Sequence, residues 1–207
     1  MMLDVNSLIP WSNWLTPASY PKRYDTVFFV VPLQETSAVE FCQKEMQGAV
    51  WDLPSKFIAK CCNEEKLACP PPQFYELARL RLINSNDPEQ LERMTNAFKI
   101  CPQIALNSDE PQIRTALLPG DHLFEWKHRW EGMDLRTFTK DELRLDTNMP
   151  IHRMTFNENP MYTNVELHIS NMEEMETKPH LFTWRETMDE QRKRILNEIL
   201  YRPRHRE

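Results

Sequence analysis

Glycine is scarce in this sequence. The 207 residues include three glycines against sixteen prolines, so any function that depends on a glycine-rich phosphate-binding loop is nearly excluded. Long apolar runs are missing too. The longest, residues 27–33, has the length of a β-strand, whereas a membrane-spanning helix needs about 20 apolar residues. The first ten residues carry no basic region and no cleavage site of a secretory signal. We therefore expect a soluble, intracellular protein with no transmembrane segment.

An excess of basic charge is also absent. The sequence has 25 lysines and arginines against 31 acidic residues, which gives a formal net charge of −6. Nucleic-acid binding requires a strongly basic surface. We predict no nucleic-acid partner, although basic residues do crowd the segment that begins at Arg192.

The five cysteines indicate neither a disulfide framework nor a zinc site. Their number is odd and they are scattered along the chain, which suits a reducing compartment. Cys61 and Cys62 are adjacent, Cys69 lies seven residues further on, and no second pair follows. Structural zinc sites use pairs that are about two to four residues apart. We expect buried or inert thiols.

Strand and helix patterns come in mixed order along the chain, which indicates the α+β class. Runs or alternation of β-branched and aromatic residues predict strands at residues 26–31, 46–51, 113–118, 123–126, 151–156 and 165–169. Proline or capping residues before apolar positions at helical spacing predict helices at residues 54–61, 73–83, 87–98 and 186–200. The continuous apolar run that Pro32 ends should be a buried strand. The turn at residues 119–121 should join the strands on either side of it in a hairpin.

A change in composition near Asn171 divides the chain into two parts. Residues 1–170 hold all the predicted strands, and residues 171–207 hold a linker and an amphipathic helix with a basic end. The acidic run of Glu173, Glu174 and Glu176 marks the linker.

One acidic group in the second part has the spacing of a cation site. Glu186, Asp189 and Glu190 fall at i, i+3 and i+4 of the predicted helix, so three carboxylates share one face. The pattern approaches the Arg-Glu-x-x-Glu-Glu core of the Nudix motif, but Asn171 and Thr177 stand where its glycine and glutamate belong. A solvated acidic first turn that complements the helix dipole explains the pattern better. No frame of the sequence completes the motif, and we assign no catalytic, cofactor-binding or metal-binding residue.

Five strings of residues carry a resemblance to a known family. They are Asn-Trp-Leu-Thr-Pro at residues 13–17, followed by residues 22–29, Pro-Pro-Pro-Gln-Phe-Tyr-Glu at 70–76, Leu-Leu-Pro-Gly-Asp at 117–121 and Ile-His-Arg at 151–153. From about residue 10 to residue 170, this series resembles the C-terminal part of the acyl-coenzyme A diphosphatases, a branch of the Nudix hydrolase family. The strings that start at Trp14 and Pro70 are the most specific.

The resemblance implies a partial Nudix-like mixed sheet with flanking helices, followed by a C-terminal helical extension. It also implies metal-dependent hydrolysis, with Mg²⁺ or Mn²⁺, of the diphosphate in coenzyme A or acyl-coenzyme A. The products would be 3′,5′-ADP and the phosphopantetheine part. Family members are often peroxisomal or mitochondrial, although residues 205–207 do not form a peroxisomal tripeptide.

In the family, the metal-binding motif lies upstream of the Trp-Leu-Thr-Pro string, so no family ligand has a matching position here. We therefore expect a truncated chain that is inactive alone. Glu45 could lie near the pocket and Arg23 near a phosphate, but solvation and a surface ion pair explain them better. Two alternatives stay open. One is a non-catalytic coenzyme A-binding or regulatory protein, and the other is an enzyme that uses the helix of Glu186, Asp189 and Glu190.

Overall fold

The computed structural model describes residues 7–35, 43–44, 46–62, 67–83, 91, 99–129, 135–145 and 148–170. Three strands, β1 (Ile9–Leu15), β2 (Asp25–Val30) and β3 (Lys99–Ile100), form one sheet in the order β2-β1-β3. Five more form a second sheet in the order β6-β4-β5-β7-β8: β4 (Gln103–Asn107), β5 (Ile113–Leu117), β6 (Arg136–Phe138), β7 (His152–Glu158) and β8 (Met161–Ile169). Two helices, α1 (Pro54–Cys62) and α2 (Pro71–Leu80), and a short 3₁₀ helix (Trp126–His128) are also described.

Both sheets contain parallel and antiparallel neighbours. β1 pairs antiparallel with β2 and parallel with β3. β4 pairs parallel with β6, and the remaining ladders of the second sheet are antiparallel. Mixed sheets with flanking helices confirm the predicted α+β class and agree with a Nudix-like fold. The predicted C-terminal helical extension lies outside the described residues.

One apolar core joins the helices to both sheets. α2 begins with prolines, which fit the first turn because the amide hydrogens they lack have no partner there anyway. The helix buries Phe74, Tyr75 and Ala78. Tyr75 packs edge-on against Trp14 of β1, with ring centroids 5.4 Å apart, and Met154 of β7 lies in the same cluster. α2 is thereby held against strands of both sheets.

Several predicted elements are confirmed. α1 starts at Pro54. Its Cys61 is buried, and Phe57 and Ile58, on the same face of the helix, are half-buried. β5 and β7 lie where they were predicted, α2 starts at Pro71 rather than at residue 73, and β8 is longer at its start than predicted. β7 and β8 form an antiparallel hairpin.

The prediction that residues 26–31 form a buried strand is wrong about burial. β2 is a strand, but within the described ranges its neighbour is β1 alone, so it lies at a sheet edge. Val27 is 46% exposed and Phe29 is 51% exposed. An unbroken apolar run here corresponds to an exposed strand edge and not to burial on both faces.

Two other predicted strands are wrong. Residues 46–51 form no strand, and Trp51 is 52% exposed, because no other described segment pairs with them. Residues 123–126 do not pair with β5, since β4 and β7 occupy its two sides. The Asp121 carboxylate instead accepts a hydrogen bond from the Leu123 N–H at 2.9 Å, and the chain continues into the 3₁₀ helix.

β1, β3, β4 and β6 have no counterpart among the predictions, because they are short or interrupt their apolar residues with proline and polar side chains. The predicted helices at residues 87–98 and 186–200 lie outside the described residues, apart from Leu91, which is buried. None of the helices in the described part of the chain is long and apolar enough to cross a membrane.

Candidate functional site

A cavity of about 360 Å³ lies where the two sheets meet the N-terminus of α2. Its walls contain residues 14–17, at the end of β1, and residues 70–73, at the start of α2. Pro102, Ile104 and Ala116 form the wall on the side of the second sheet. The two most specific resemblance strings, which are far apart in the sequence, therefore line one site.

Aromatic rings dominate the lining of this cavity. They belong to Trp14, Tyr20, Tyr24, Phe28 and Tyr162. Trp14 is buried, whereas Tyr24 is 54% exposed, so the cavity opens towards Tyr24. Exposed Lys22 stands at this opening with its Nζ 4.9 Å from the centre of the Tyr24 ring, a favourable cation–π arrangement. An apolar interior with a few polar groups and a charge at the rim is typical of a small-molecule site.

Two half-buried tyrosines bridge the cavity. Tyr20 lies in the loop between β1 and β2, Tyr162 lies in β8, and the two side chains interact with each other. Burial raises the pKa of Tyr20 well above its usual value, and the hydrogen bond to Tyr162 raises it further. Tyr20 is therefore neutral at physiological pH and serves as a hydrogen-bonding group, not as a base.

A buried carboxylate holds the first resemblance string in place. Glu76 Oε1 accepts a hydrogen bond from Trp14 Nε1 at 2.7 Å, and its Oε2 accepts bonds from Trp11 Nε1 at 2.5 Å and Arg79 Nη1 at 2.8 Å. Glu76 and Arg79 are both buried, and the Arg79 guanidinium lies 4.3 Å from the Trp11 ring centre. The indole donors belong to β1 and the carboxylate to α2. This network therefore fixes two walls of the cavity relative to each other.

Residues 117–121 and 151–153 meet in a second buried network. Arg153 donates to both carboxylate oxygens of Asp121, at 2.7 and 2.9 Å, and the His152 N–H donates to the same carboxylate at 2.9 Å. His152 is partly exposed as a residue, but its Nε2 is buried, and burial lowers its pKa to about 4. Its ring contacts that of Tyr75, with 5.6 Å between centres. None of these residues lines the cavity, so we assign the network a structural role.

The described residues do not fit the metal that the resemblance implies. No group of three or more His, Cys, Asp or Glu within the described ranges could hold an ion. The buried carboxylates Glu76 and Asp121 have hydrogen-bond donors on both oxygens. The acidic group of Glu186, Asp189 and Glu190 lies outside the described residues.

Arg23 supports the loop beside the cavity but does not line it. Its exposed side chain donates from Nε to the Thr16 carbonyl at 2.9 Å, and its Nη2 lies 3.8 Å from Cys101 Sγ. The guanidinium is thus engaged with the protein and not directed at a ligand. Glu45, the other residue considered from the sequence, lies outside the described residues.

Burial disfavours the thiolate form of the described cysteines. It raises the pKa values of Cys61, Cys62 and Cys101, and that of Cys69 to about 12. Because the thiolate is the nucleophilic form, these side chains are poor nucleophiles at neutral pH. All four are free, and all but Cys62 are buried.

Comparison with known proteins confirms the resemblance to the Nudix family. Residues 1–80 match the family model described as NUDT19 Nudix domain. No solved structure is significantly similar to the chain.

The similar proteins point to one branch of that family. Putative nudix hydrolase 7 of Caenorhabditis elegans is 34% identical over 167 residues, which are 79% of this chain and 54% of that protein. Acyl-coenzyme A diphosphatase NUDT19 is 39% identical over 130 residues in Xenopus laevis and 33% over 132 residues in Homo sapiens. These matches cover 59% and 58% of this chain and 33% of each relative. The chain therefore spans about half the length of the first relative and a third of the other two.

No motif in the sequence marks the cavity residues as a site. Lys22 and Tyr24 belong to the second resemblance string, so the strings were a usable signal for them. Tyr20 lies between two strings and Tyr162 lies outside all of them. No pattern in the sequence brings these two tyrosines together.

Proposed function

We propose that this chain is a member of the acyl-coenzyme A diphosphatase branch of the Nudix hydrolases, and that the whole protein hydrolyses the diphosphate of coenzyme A or acyl-coenzyme A. The observation that carries the proposal is the convergence of residues 14–17 and 70–73 on one aromatic cavity. The similarity to acyl-coenzyme A diphosphatases of two vertebrates supports the same substrate class.

In the proposed reaction, water adds to a diphosphate phosphorus, and the bridging phosphorus–oxygen bond breaks to release 3′,5′-ADP and the phosphopantetheine part. Mg²⁺ or Mn²⁺ would neutralise the diphosphate oxygens and activate the water. The described residues supply no ligand set for that ion, so we derive no hydrolytic step from them. Their proposed part is to bind and orient the substrate, with the Lys22 ammonium at the rim of the apolar cavity.

By itself the chain is proposed to be inactive, because no frame of its sequence completes the Nudix motif. The alternative is a non-catalytic coenzyme A-binding or regulatory protein, which the well-formed cavity favours. The two hypotheses differ in whether the whole protein hydrolyses coenzyme A or only binds it.

Calorimetry and a product assay on the purified chain test what these two hypotheses share. Titration of the purified chain with coenzyme A should give a dissociation constant in the micromolar range, and chromatography after incubation with Mn²⁺ should detect no 3′,5′-ADP. Absence of binding contradicts the substrate class. If the chain does hydrolyse coenzyme A, and if Glu190→Gln abolishes this activity while Glu176→Gln does not, the predicted acidic helix is a metal site.

The resemblance also leads us to propose a peroxisomal or mitochondrial location for the native protein. Immunofluorescence against markers of the two organelles tests this. A diffuse cytosolic signal would overturn the proposed location and leave the proposed chemistry untouched.

A further inference from the structure

The N-terminus of α2 at the cavity is unsuited to phosphate. A helix N-terminus is a favourable place for an anion because its first amide hydrogens point outwards without partners in the helix. Here the cap and the first two helical residues are Pro70, Pro71 and Pro72, which have no amide hydrogen. The cap and the first two helical residues therefore present only carbon atoms to the cavity, and the first N–H that the helix offers there belongs to Gln73.

Several polar groups in the lining are already engaged with one another. The Thr16 Oγ1 accepts a hydrogen bond from the Tyr24 N–H at 2.9 Å, and the side chains of Tyr20 and Tyr162 interact with each other. A purine base needs exposed donors and acceptors for recognition, whereas a hydrocarbon chain needs only apolar surface. The lining fits the hydrocarbon chain better.

Tyr162 is held in the cavity by an irregularity of β8. Glu158 pairs with Met161 and Asn157 pairs with Thr163, so Tyr162 is an extra residue that bulges out of the ladder. Its φ of 63° is unfavourable for a bulky side chain. The Cys69 N–H donates to its carbonyl at 2.9 Å. Bulges and such backbone conformations often re-aim a side chain at a functional site, and this one places the Tyr162 ring in the cavity wall.

From these observations we propose that the cavity binds the acyl chain of an acyl thioester, with Tyr162 and Tyr20 as part of the wall that contacts the chain. The identity of the whole ligand, an acyl-coenzyme A, rests on the proposed function. At roughly 30 Å³ for each water-sized group, a cavity of about 360 Å³ holds about a dozen methylene-sized groups. The anionic part of the ligand remains outside, beside the Lys22 ammonium.

Calorimetry on the full chain tests this proposal with coenzyme A, butanoyl-coenzyme A, octanoyl-coenzyme A and the octanoyl thioester of N-acetylcysteamine. Burial of one methylene tightens binding by about fourfold. We therefore expect octanoyl-coenzyme A to bind at least tenfold more tightly than butanoyl-coenzyme A. Equal affinities for the two acyl ligands would overturn the proposal.

A pair of matched variants locates the effect. Thr26 and Thr137 are exposed threonines on β2 and β6, the edge strands of the two sheets in the described structure, but Thr26 alone lines the cavity. Thr26→Trp should fill the cavity and reduce the octanoyl advantage to about twofold or less, while Thr137→Trp should preserve it. If Thr26→Trp leaves the octanoyl advantage intact, or weakens coenzyme A and its octanoyl ester equally, the proposal is wrong.

The N-acetylcysteamine thioester separates this proposal from the proposed function, because it has the acyl chain but neither diphosphate nor nucleotide. Suppose that the chain binds this probe, that Thr26→Trp abolishes the binding, and that coenzyme A does not bind. The acyl site would then stand, and coenzyme A would be ruled out as the substrate. If coenzyme A binds and the acyl chain contributes nothing to affinity, the proposed substrate class stands and the acyl site is ruled out.

Discussion

Replacement of Glu76 by glutamine should destabilise the fold strongly although it changes the side-chain shape very little. The carboxylate accepts hydrogen bonds from three donors: the indoles of Trp11 and Trp14 and the guanidinium of Arg79. An amide offers one acceptor oxygen and one NH₂ donor. In either orientation its NH₂ group faces at least one buried donor, and the ion pair between Glu76 and Arg79 is lost.

The size of the effect follows from the burial of both charges. Glu76 is 4% exposed and Arg79 is 2% exposed, so water cannot replace the lost carboxylate. Removing one partner of a buried ion pair costs about 3–5 kcal/mol, and a buried donor without an acceptor costs about 1–3 kcal/mol, in part the same loss. We expect Glu76→Gln to lower the free energy of unfolding by about 3–5 kcal/mol, a large share of the 5–15 kcal/mol that is typical of domains.

Urea denaturation followed by far-UV circular dichroism measures this loss, since tryptophan fluorescence would itself change with the indole contacts. Glu166→Gln is the matched control, because Glu166 is an exposed carboxylate on β8 and its urea midpoint should not move. The double variant Glu76→Gln/Arg79→Met should lose less unfolding free energy than the two single variants lose in sum, since both substitutions remove the same interaction. A loss below about 1 kcal/mol for Glu76→Gln would refute the reasoning that the pair is fully desolvated.

Three further predictions concern the second network and the thiols. Asp121→Asn should lower the free energy of unfolding by about 3–5 kcal/mol in urea titrations, because Arg153 then keeps a buried charge without its carboxylate. The folded-state pKa of His152 is about 4 and its ordinary value is 6.5, so the unfolded chain binds more protons between these pH values. Stability should therefore fall as pH falls through that window, by up to about 1.4 kcal/mol per pH unit, and less steeply in His152→Gln. Iodoacetamide at pH 8 should label exposed Cys62 before buried Cys69, whose pKa is raised to about 12. Mass spectrometry of peptides taken at successive times measures the order of labelling.

Elements with strong local signals were predictable. Pro54 and the apolar residues at helical spacing after it predict α1. β-branched and alternating apolar residues predict β7 and β8. β1 was not, because its sequence includes Pro10, Ser12 and Asn13, and it is a strand only because β2 and β3 pair with it. Such pairing depends on tertiary context and cannot be predicted from the local strand propensity of the residues.

Burial was harder to predict than secondary structure. The apolar run of β2 has the composition of a central strand, yet Val27 and Phe29 are about half exposed. Conversely, the structure buries Glu76, Arg79 and Arg153, although charged residues are mostly exposed in proteins. Charged residues are buried where a partner from another segment neutralises them, and the partner of Arg153 is Asp121, from a distant loop.

The site was predictable only through the resemblance strings, and the structure explains why those strings contain such different residues. Three of them, with Trp14, with Lys22 to Phe28 and with Pro70 to Gln73, provide cavity wall. Two others, with Asp121 and Arg153, provide a buried ion pair that does not reach the cavity. A short sequence match cannot distinguish ligand contact from structural support, since both demand particular side chains.

α2 connects these two roles. Glu76 binds Trp14, and its neighbour Tyr75 contacts the rings of both Trp14 and His152. Apolar residues of similar volume often replace a buried ion pair without loss of stability, so stability alone does not account for a carboxylate in this core. A carboxylate does require its donors at defined distances and directions, which apolar packing does not. Because Trp14 and the first turn of α2 both line the cavity, the bonds that fix α2 against β1 also fix the shape of the cavity.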